Sequence, residues 1–267
     1  MITIKSAREI ELMRKSGKIT AKTLTRLIEA AKPGVSTAEL DRIAEESIRS
    51  MGGIPAFKGY NGYPSSICTS VNNEVVHGIP SSYVLRDGDL LSIDIGTTLE
   101  GYVSDSAVTL ALGNVPGEGR RLLEVTRECL MLAVAQMRAG NHLGDIGAAV
   151  QRYAEENGFG VVRELVGHGI GTKMHEEPQV PNYGKPGSGI ELRRGLVLAL
   201  EPMITEGTWH VRTLDDGWTV VTEDGKLAAH FEHTIALTES GPRILTLRDV
   251  YEHKDVELYR PPEEVAA

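Results

Sequence analysis

Helical stretches and short apolar runs alternate along this chain, and the order occurs twice. Ser6 followed by Glu9 is a capping box, opening a helix that runs to about Ala31 and is stopped by Pro33-Gly34. Ser36 and Glu39 form a second box, and that helix ends near Met51 before Gly52-Gly53. A loop rich in Gly, Tyr and Pro ("FKGYNGYPSS") leads into a strand around Ile67 to Val71. The run "LLSIDIGTTLEGYVSDSAVTLALG" then predicts two strands joined by a turn near Leu99-Glu100-Gly101. Helices are expected again at about Gly119–Arg138 and Gly144–Asn157, followed by strands near Val161–Val166 and Leu196–Met203. A hairpin turning on Asp215-Asp216-Gly217 and a last strand, "HFEHTIALT", close the second series. Two similar α/β halves facing each other are the architecture this order predicts. Residues 1–250 read as one domain and 251–267 as a polar C-terminal tail.

Acids interrupt the apolar strands. Asp94 lies in "LLSIDIG" and Asp105 in "YVSDSAV", and ionised carboxylates rarely occupy such strands without a positive partner. Pairing Asp94 with Asp105 centres the turn on Leu99 and Glu100, and because side chains alternate faces this register sets both carboxylates on one face. Two like charges at about 4 Å repel by roughly 4 kcal/mol at an effective dielectric near 20. Glu201 ends the strand "GLVLALEPM", and Glu232 lies in "AAHFEHTIAL" between His230 and His233. In "VGHGIGTKMHEEP", His168 sits between two glycines and His175 follows seven residues later; His77 lies in "NNEVVHGIP". Singly, each acid reads as a capped strand end and each His as a structural one. Together, four acids and a Gly-flanked His make an oxygen-rich set whose charge balances two divalent ions. Such donors suit Mn, Fe(II) or Co, and zinc also fits. Two ions sharing such a site can support hydrolysis.

Composition narrows the setting. The 267 residues suffice for a full core, and a net charge of −9 argues against a broad nucleic-acid or anionic-membrane surface. Two cysteines, Cys68 and Cys129, offer no disulfide framework. With no apolar leader or membrane-length run, a cytoplasmic protein and a monomer are the expectations.

The segments "HGIP", "IDIGTTLEGYVSDSAVT", "VGHGIGTKMHEEP", "LALEPM" and "FEHTI" closely resemble, in order and spacing, the type I methionine aminopeptidases. The likeness spans essentially residues 3–245, and seven polar positions match together. It implies an α/β (α+β) pita-bread fold: two pseudo-symmetric halves around a central antiparallel sheet, with helices outside. It also implies removal of the initiator methionine from nascent polypeptides with a small second residue. By the same resemblance Asp94 would chelate one metal ion, Asp105 and Glu232 would bridge two, and His168 and Glu201 would complete the other shell. A hydroxide held between the ions would attack the first peptide carbonyl, with Glu201 shuttling the proton. His175 would bond the scissile amide and His77 would guide the substrate backbone. Tyr60, Tyr63, Cys68, Trp218 and Phe57 match the methionine pocket and its rim. Phe57 departs from the smaller Cys of many bacterial members, and Met174 stands where an aromatic is common.

The nearest alternative is a prolidase or aminopeptidase P, which shares fold and metal set. Those usually carry an N-terminal domain of well over a hundred residues, whereas 76 residues precede His77 here. A non-catalytic pita-bread binding module would lose ligands and gain basic segments. The 25 residues between His175 and Glu201 leave no room for the type II insertion. Lys15, Lys18, Lys22 and Arg26 on the opening helix read as a solvated face, with a ribosome contact as the alternative. Cys129 reads as helix core. His230 shares the Glu232 face and could support the metal shell; His142, His210 and His253 have no assigned task.

Overall fold

The structure, a computed structural model, describes residues 2–248. The tail expected at 251–267, and His253 with it, lies outside the described residues. Four α-helices occur among the described residues: α1 (Ala7–Ala30), α2 (Thr37–Ser50), α3 (Gly117–Gln136) and α4 (Leu143–Glu156). The strands of the first half are β1 (Ile54–Pro55), β2 (Ile67–Val71), β3 (Glu74–Val76), β4 (Leu90–Leu99) and β5 (Tyr102–Ala111). After α4 come β6 (Gly160–Val161), β7 (Gly167–Gly169), β8 (Glu176–Val180), β9 (Val197–Leu200) and β10 (Met203–Thr205). The last are β11 (Val211–Thr213), β12 (Val220–Thr222), β13 (Ala228–His230), β14 (Glu232–Thr238) and β15 (Gly241–Ile244). A helix pair followed by antiparallel strands thus appears twice, as the sequence pattern predicts.

One nine-stranded antiparallel sheet spans both halves in the order β1-β4-β5-β14-β9-β7-β8, with β2 also on β4 and β15 also on β14. The halves meet where β5 joins β14, and the backbone ladder there is only two residue pairs long, Glu232 with Ala107 and His233 with Ser106. Side-chain hydroxyls extend it. Thr234 Oγ1 donates to Asp105 O (2.8 Å) and accepts from Asp105 N–H (2.9 Å). Ser106 Oγ donates to Glu232 O at 2.8 Å. Thr109 Oγ1 donates to His230 O and accepts from His230 N–H, both at 2.8 Å. Hydroxyls carry both a donor and an acceptor, so they bond backbone groups that the diverging strands leave unpaired.

Three expectations from the pattern are corrected. The β4–β5 turn falls on Glu100 and Gly101, at φ 50° and 81°, one residue later than the centre on Leu99 and Glu100. A two-residue hairpin turn of this hand needs positive φ at both positions, and glycine supplies the second at no steric cost. Asp94 therefore pairs with Ala107 and Asp105 with Gly96, so the acids are diagonal rather than directly opposed. The shift is even, and both carboxylates stay on one face. The runs Leu196–Met203 and "HFEHTIALT" each break into two strands: β9 and β14 pair in the large sheet, β10 and β13 in a separate three-stranded one. The break falls at Glu201-Pro202 on one strand and Phe231 on the other; proline cannot donate to a ladder. The strand expected over Val161–Val166 is only Gly160–Val161.

The helices close over the sheet through their apolar faces, with Leu24, Leu27, Leu40 and Ile48 packing on the buried strand residues Leu91, Ile93 and Ile95. Lys15, Lys18, Lys22 and Arg26 face outward, as a solvated face. Cys129 is fully buried in the core. A buried polar network ties α1 to the hairpin: Ser16 Oγ donates to Thr97 O (2.7 Å), and Ser16 and Thr20 hydroxyls both bond Ser104 Oγ. Gly17 lets α1 also pack closely on the segment after β15, because a Cβ there would lie 2.1 Å from Leu245 O. In an exposed helix Gly→Ala gains about 1 kcal/mol. Here overpacking against backbone, costing roughly 1–3 kcal/mol, should win. Gly17→Ala is expected to lower the urea midpoint; an unchanged or higher midpoint would mean that α1 can shift away from Leu245 freely.

Candidate metal centre

Asp94 stands in the middle of β4, cross-strand from Cys68 of β2, and Asp105 on β5 opposite Gly96. Glu232 is the first residue of β14 and Glu201 follows the last residue of β9. These two glutamates therefore sit where the paired strands leave one sheet for the other. His168 is the central residue of β7, beside Ala199 of β9. The seam brings one donor atom each of Asp105, His168 and Glu232 within 4.8 Å of one another, all three residues being buried. His168 Nε2 lies 3.5 Å from Glu201 Oε1, and the Asp94 and Asp105 carboxyls are in contact.

One oxygen of each acid, Oδ1 of Asp94 and Asp105 and Oε1 of Glu201 and Glu232, is buried without a hydrogen-bond partner. Such groups cost about 1–3 kcal/mol each, more when charged. Burial pushes all four carboxyls upward. For Asp105 and Glu232 the next causes are neighbouring carboxylates, for Glu201 it is Asp94. Asp94 is pushed up to about 7 by burial, opposed by hydrogen bonds from Asp105 and Ile95. The ion-pair contacts of these acids are with His168 and, at 4.0 Å from Glu201, His230. Both histidines are driven toward the neutral form, mainly by burial, to about 4 and about 3. His168 Nδ1 bonds Gly169 O at 2.9 Å. The Nδ1–H must donate there, which turns the lone pair of Nε2 toward Glu201. A neutral imidazole nitrogen and four crowded carboxylates, all facing inward, form a donor set that a hard or borderline divalent cation fits. His230 presents two buried, unpartnered ring nitrogens beside it.

The residues expected around substrate gather next to this cluster. Tyr60 hydroxyl bonds His175 Nδ1 at 2.7 Å, and the His175 and His168 rings lie 4.3 Å apart. His77 adopts φ 62°, a left-handed conformation that costs a non-glycine residue about 1–2 kcal/mol. Burial, then the proximity of His175, lowers it to about 4. Tyr63 hydroxyl donates to Ile67 O and Gly78 O, and its ring meets Trp218 edge-on at 5.0 Å. Phe57, Tyr63, Cys68 and Met174 share one apolar cluster, with Tyr60 and Trp218 packed against it. Burial pushes the Cys68 thiol well above its ordinary range, leaving neutral sulfur in the wall. Phe57 and Met174 flank the same glycine: a Cβ on Gly96 would meet Phe57 Cε1 at 2.7 Å and Met174 Cε at 2.9 Å. The larger residue at 57 and the slender one at 174 thus share one space. A cleft of about 680 Å³ opens from His168 and His175 past Glu164, Thr172 and Gln179. Sequence patterns did not point to Thr3, Lys5 or Glu176, which meet beside His175. Their signal is purely tertiary, since 171 residues separate Lys5 from Glu176.

An inward-facing carboxylate–imidazole cluster at the seam of two α/β halves, beside an apolar pocket, defines a metal-dependent hydrolase class. Residues 11–239 match the model of metallopeptidase family M24, and the chain belongs to that family. Its divalent-metal chemistry fits the donor set above. The methionine aminopeptidase of Clostridium acetobutylicum is 54% identical over 248 residues, covering 92% of this chain and 99% of that protein. The crystal structure of methionine aminopeptidase from Thermotoga maritima superposes with a TM-score of 0.91 at 46% identity, over 92% of this chain and 99% of that one. Prolidase from Pyrococcus furiosus shares the fold at a TM-score of 0.72 and 22% identity, over 92% of this chain and 66% of its own.

The raised carboxyls make metal-free stability depend on pH. A carboxyl whose folded pKa is raised favours folding below its unfolded value, near 4, and loses that contribution as pH rises toward the folded pKa. The lowered histidines, His77, His168, His175, His230 and His233, act in the opposite sense between their folded values and about 6.5. Above about pH 6.5 the histidine contribution is spent and the carboxyls remain. Near pH 8.5 the Cys68 and Cys129 thiols join them, since burial raises both and they add to the loss in the same direction. Metal-stripped protein should therefore lose stability from pH 6.5 to 8.5, by about 1.4 kcal/mol per pH unit for each carboxyl still protonated in the fold. Saturating Mn²⁺ should abolish the slope, and Asp105→Asn should reduce it without metal. Urea midpoints at the two pH values measure this; a flat metal-free profile would refute the crowding.

Proposed function

We propose that this chain is a cytoplasmic, monomeric methionine aminopeptidase. It would remove the N-terminal methionine of nascent polypeptides whose second residue is small. One observation carries the reading: four partnerless carboxylate oxygens and the His168 lone pair converge at the seam, next to a pocket of soft sulfur and aromatic edges. Asp94, Asp105, His168, Glu201 and Glu232 would hold two divalent ions, of Co, Mn, Fe(II) or Zn type. Bound there, such ions polarise a carbonyl and lower the pKa of water.

The protein's own groups supply the rest. Phe57, Tyr60, Tyr63, Cys68 and Trp218 receive the methionine side chain, since a thioether favours aromatic edges and polarisable neighbours. Asp94, adjoining Cys68 across β2 and β4, marks the end of the pocket where the free α-amine belongs. That restricts cleavage to the first residue. Glu201, whose carboxyl burial raises, takes a proton from the attacking water and returns it to the departing amine. Partial desolvation of the imidazole lowers the pKa of His175 and favours its neutral form. With Tyr60 donating to Nδ1, its Nε2–H is free to bond the scissile amide oxygen and steady the charge that develops there. His77, fixed by its backbone, guides the substrate chain, which leaves through the open cleft. The exposed cations of α1 would carry a ribosome contact in a protein acting on emerging chains.

Hydrolysis of Met-Ala-Ser by metal-stripped protein, with and without Mn²⁺ or Co²⁺, tests the reading. Release of methionine should require metal and vanish in Asp105→Ala. His175→Ala should lower kcat by about 10²–10³-fold and Tyr60→Phe by about tenfold, through loss of imidazole orientation. Cleavage of an X-Pro peptide in place of Met-Ala-Ser would move the chain to the prolidase branch, and absence of turnover with any metal would leave a binding module.

A further inference from the structure

Glu176 follows His175 directly and does not face the acidic cluster. Its carboxylate collects hydrogen bonds from two distant parts of the chain. Oε1 accepts from Thr172 N–H at 2.9 Å and Lys173 N–H at 3.3 Å, closing the loop that carries His175 onto itself. Oε2 accepts from Thr3 Oγ1 at 2.6 Å and from Lys5 Nζ at 2.7 Å. Lys5 also donates from Nζ to Thr3 Oγ1 at 3.1 Å, so the three side chains form a closed triangle. The pair is well shielded, with side chains 5% and 11% exposed. The surface ion pairs of α2, such as Arg42 with Glu46 at 54% and 65%, are not.

We propose that Thr3, Lys5 and Glu176 form a clasp by which the N-terminal segment positions His175 in the site. This rests on the aminopeptidase reading above, in which His175 meets the scissile amide. The clasp is anchored on both sides. Lys5 N–H donates to Gly195 O at 2.7 Å and Gly195 N–H to Leu237 O at 2.8 Å, which ties the segment to the end of β14. Ser6 then caps α1, whose hydroxyls grip the β4–β5 hairpin behind Asp94 and Asp105. The loop itself has one backbone bond to the hairpin, from Val103 N–H to Gly171 O at 2.8 Å. Thr172 and Lys173 are exposed, and so is His175. The shape of the loop is matched to the clasp at Gly171, where a Cβ would lie 2.6 Å from Glu176 Oε1 and 2.7 Å from Lys5 Cε. A buried ion pair contributes little net stability against a well-packed apolar replacement. Its value here is geometric: it fixes the point where the loop enters β8, with Glu176 paired to Gly169 of β7 and His175 just outside that ladder.

Thr3, Lys5 and Glu176 are positioning residues, so their effect must pass through His175. Lys5→Met keeps the aliphatic stem and removes the charge. In the metal-loaded enzyme it should lower kcat for Met-Ala-Ser by about tenfold with KM within about twofold, since small displacements of a catalytic group cost rate steeply. Lys5→Arg should restore most of the loss. In a His175→Ala background, Lys5→Met should cost less than about twofold, because the group it positions is gone. Equal losses in both backgrounds would overturn the clasp and make Lys5 a general stabiliser. Thr3→Val, which deletes one contact, should give a smaller change of the same kind and serves if Lys5→Met does not fold. A second readout needs no turnover: in histidine-labelled, Zn²⁺-loaded protein, Lys5→Met or Thr3→Val should move the His175 imidazole resonances and leave those of His142 and His210 in place. Unmoved His175 resonances would overturn the proposal. Wild-type protein inactive with every metal would overturn the aminopeptidase reading instead, and the resonances alone would then decide the clasp.

Discussion

Crowding of like charge at the seam between the two halves is the constraint on which the rest of the structure depends. Four buried carboxyls gather there, on the face of the β4–β5 hairpin opposite its helix-packed Ile and Leu residues. Among the described residues their ion-pair contacts are with neutral imidazoles. Left ionised, they would drive β5 and β14 apart at the place where the backbone ladder is shortest. The protein holds them by other means. Apolar burial on the helix side supplies the favourable energy, and Ser106, Thr109 and Thr234 supply hydrogen bonds where strands diverge. The electrostatic cost is then available to a cation, whose binding relieves repulsion and desolvation together.

The same seam explains where the individual acids stand. Glu201 and Glu232 mark the corner at which two adjacent strands leave the large sheet for the small one. Corners leave side chains and backbone groups that a continuous ladder would have paired, and Pro202 enforces the break on one strand. Asp94 and Asp105 lie mid-strand on a hairpin of two fully paired ten-residue strands. Rigid elements thus carry the groups whose spacing matters most. His77 and His175, by contrast, come from loops and need local devices: a left-handed backbone for one, a tyrosine hydroxyl and a buried ion pair for the other.

Much of this was legible in the chain. Capping signals and glycine or proline stops placed the first two helices within about one residue, because those signals act locally, and α3 and α4 fell within about two residues of their expected ends. At α2 only the Ser36 half of the expected box forms, since the Glu39 carboxylate pairs with Arg42. The acids in apolar strands and the Gly-flanked His168 stood out because burying unpartnered charge is costly. Strand ends were read less well. The Glu100-Gly101 turn was set one residue early, since "TLEGY" offers Gly101 as a marker without saying whether it takes the first or second left-handed position. The break at Phe231 was invisible because both flanking runs are apolar and a single long strand satisfies the same pattern. The break at Glu201-Pro202, by contrast, carried a legible proline signal that the long apolar run outweighed.

What the sequence determined by itself is the inventory and its local order: the helices, the hairpin, the even spacing that keeps Asp94 and Asp105 on one face, and the set of donors able to hold metal. Those follow from interactions between residues a few positions apart, which any stretch of chain carries with it. Only the tertiary structure decided that Asp105, His168 and Glu232 converge, that Tyr60 turns the His175 ring, and that Lys5 reaches Glu176. These contacts join segments tens to more than a hundred residues apart. Nothing in the local pattern encodes them; they exist because two halves with complementary apolar faces exclude water together and bring their polar interruptions to a common line.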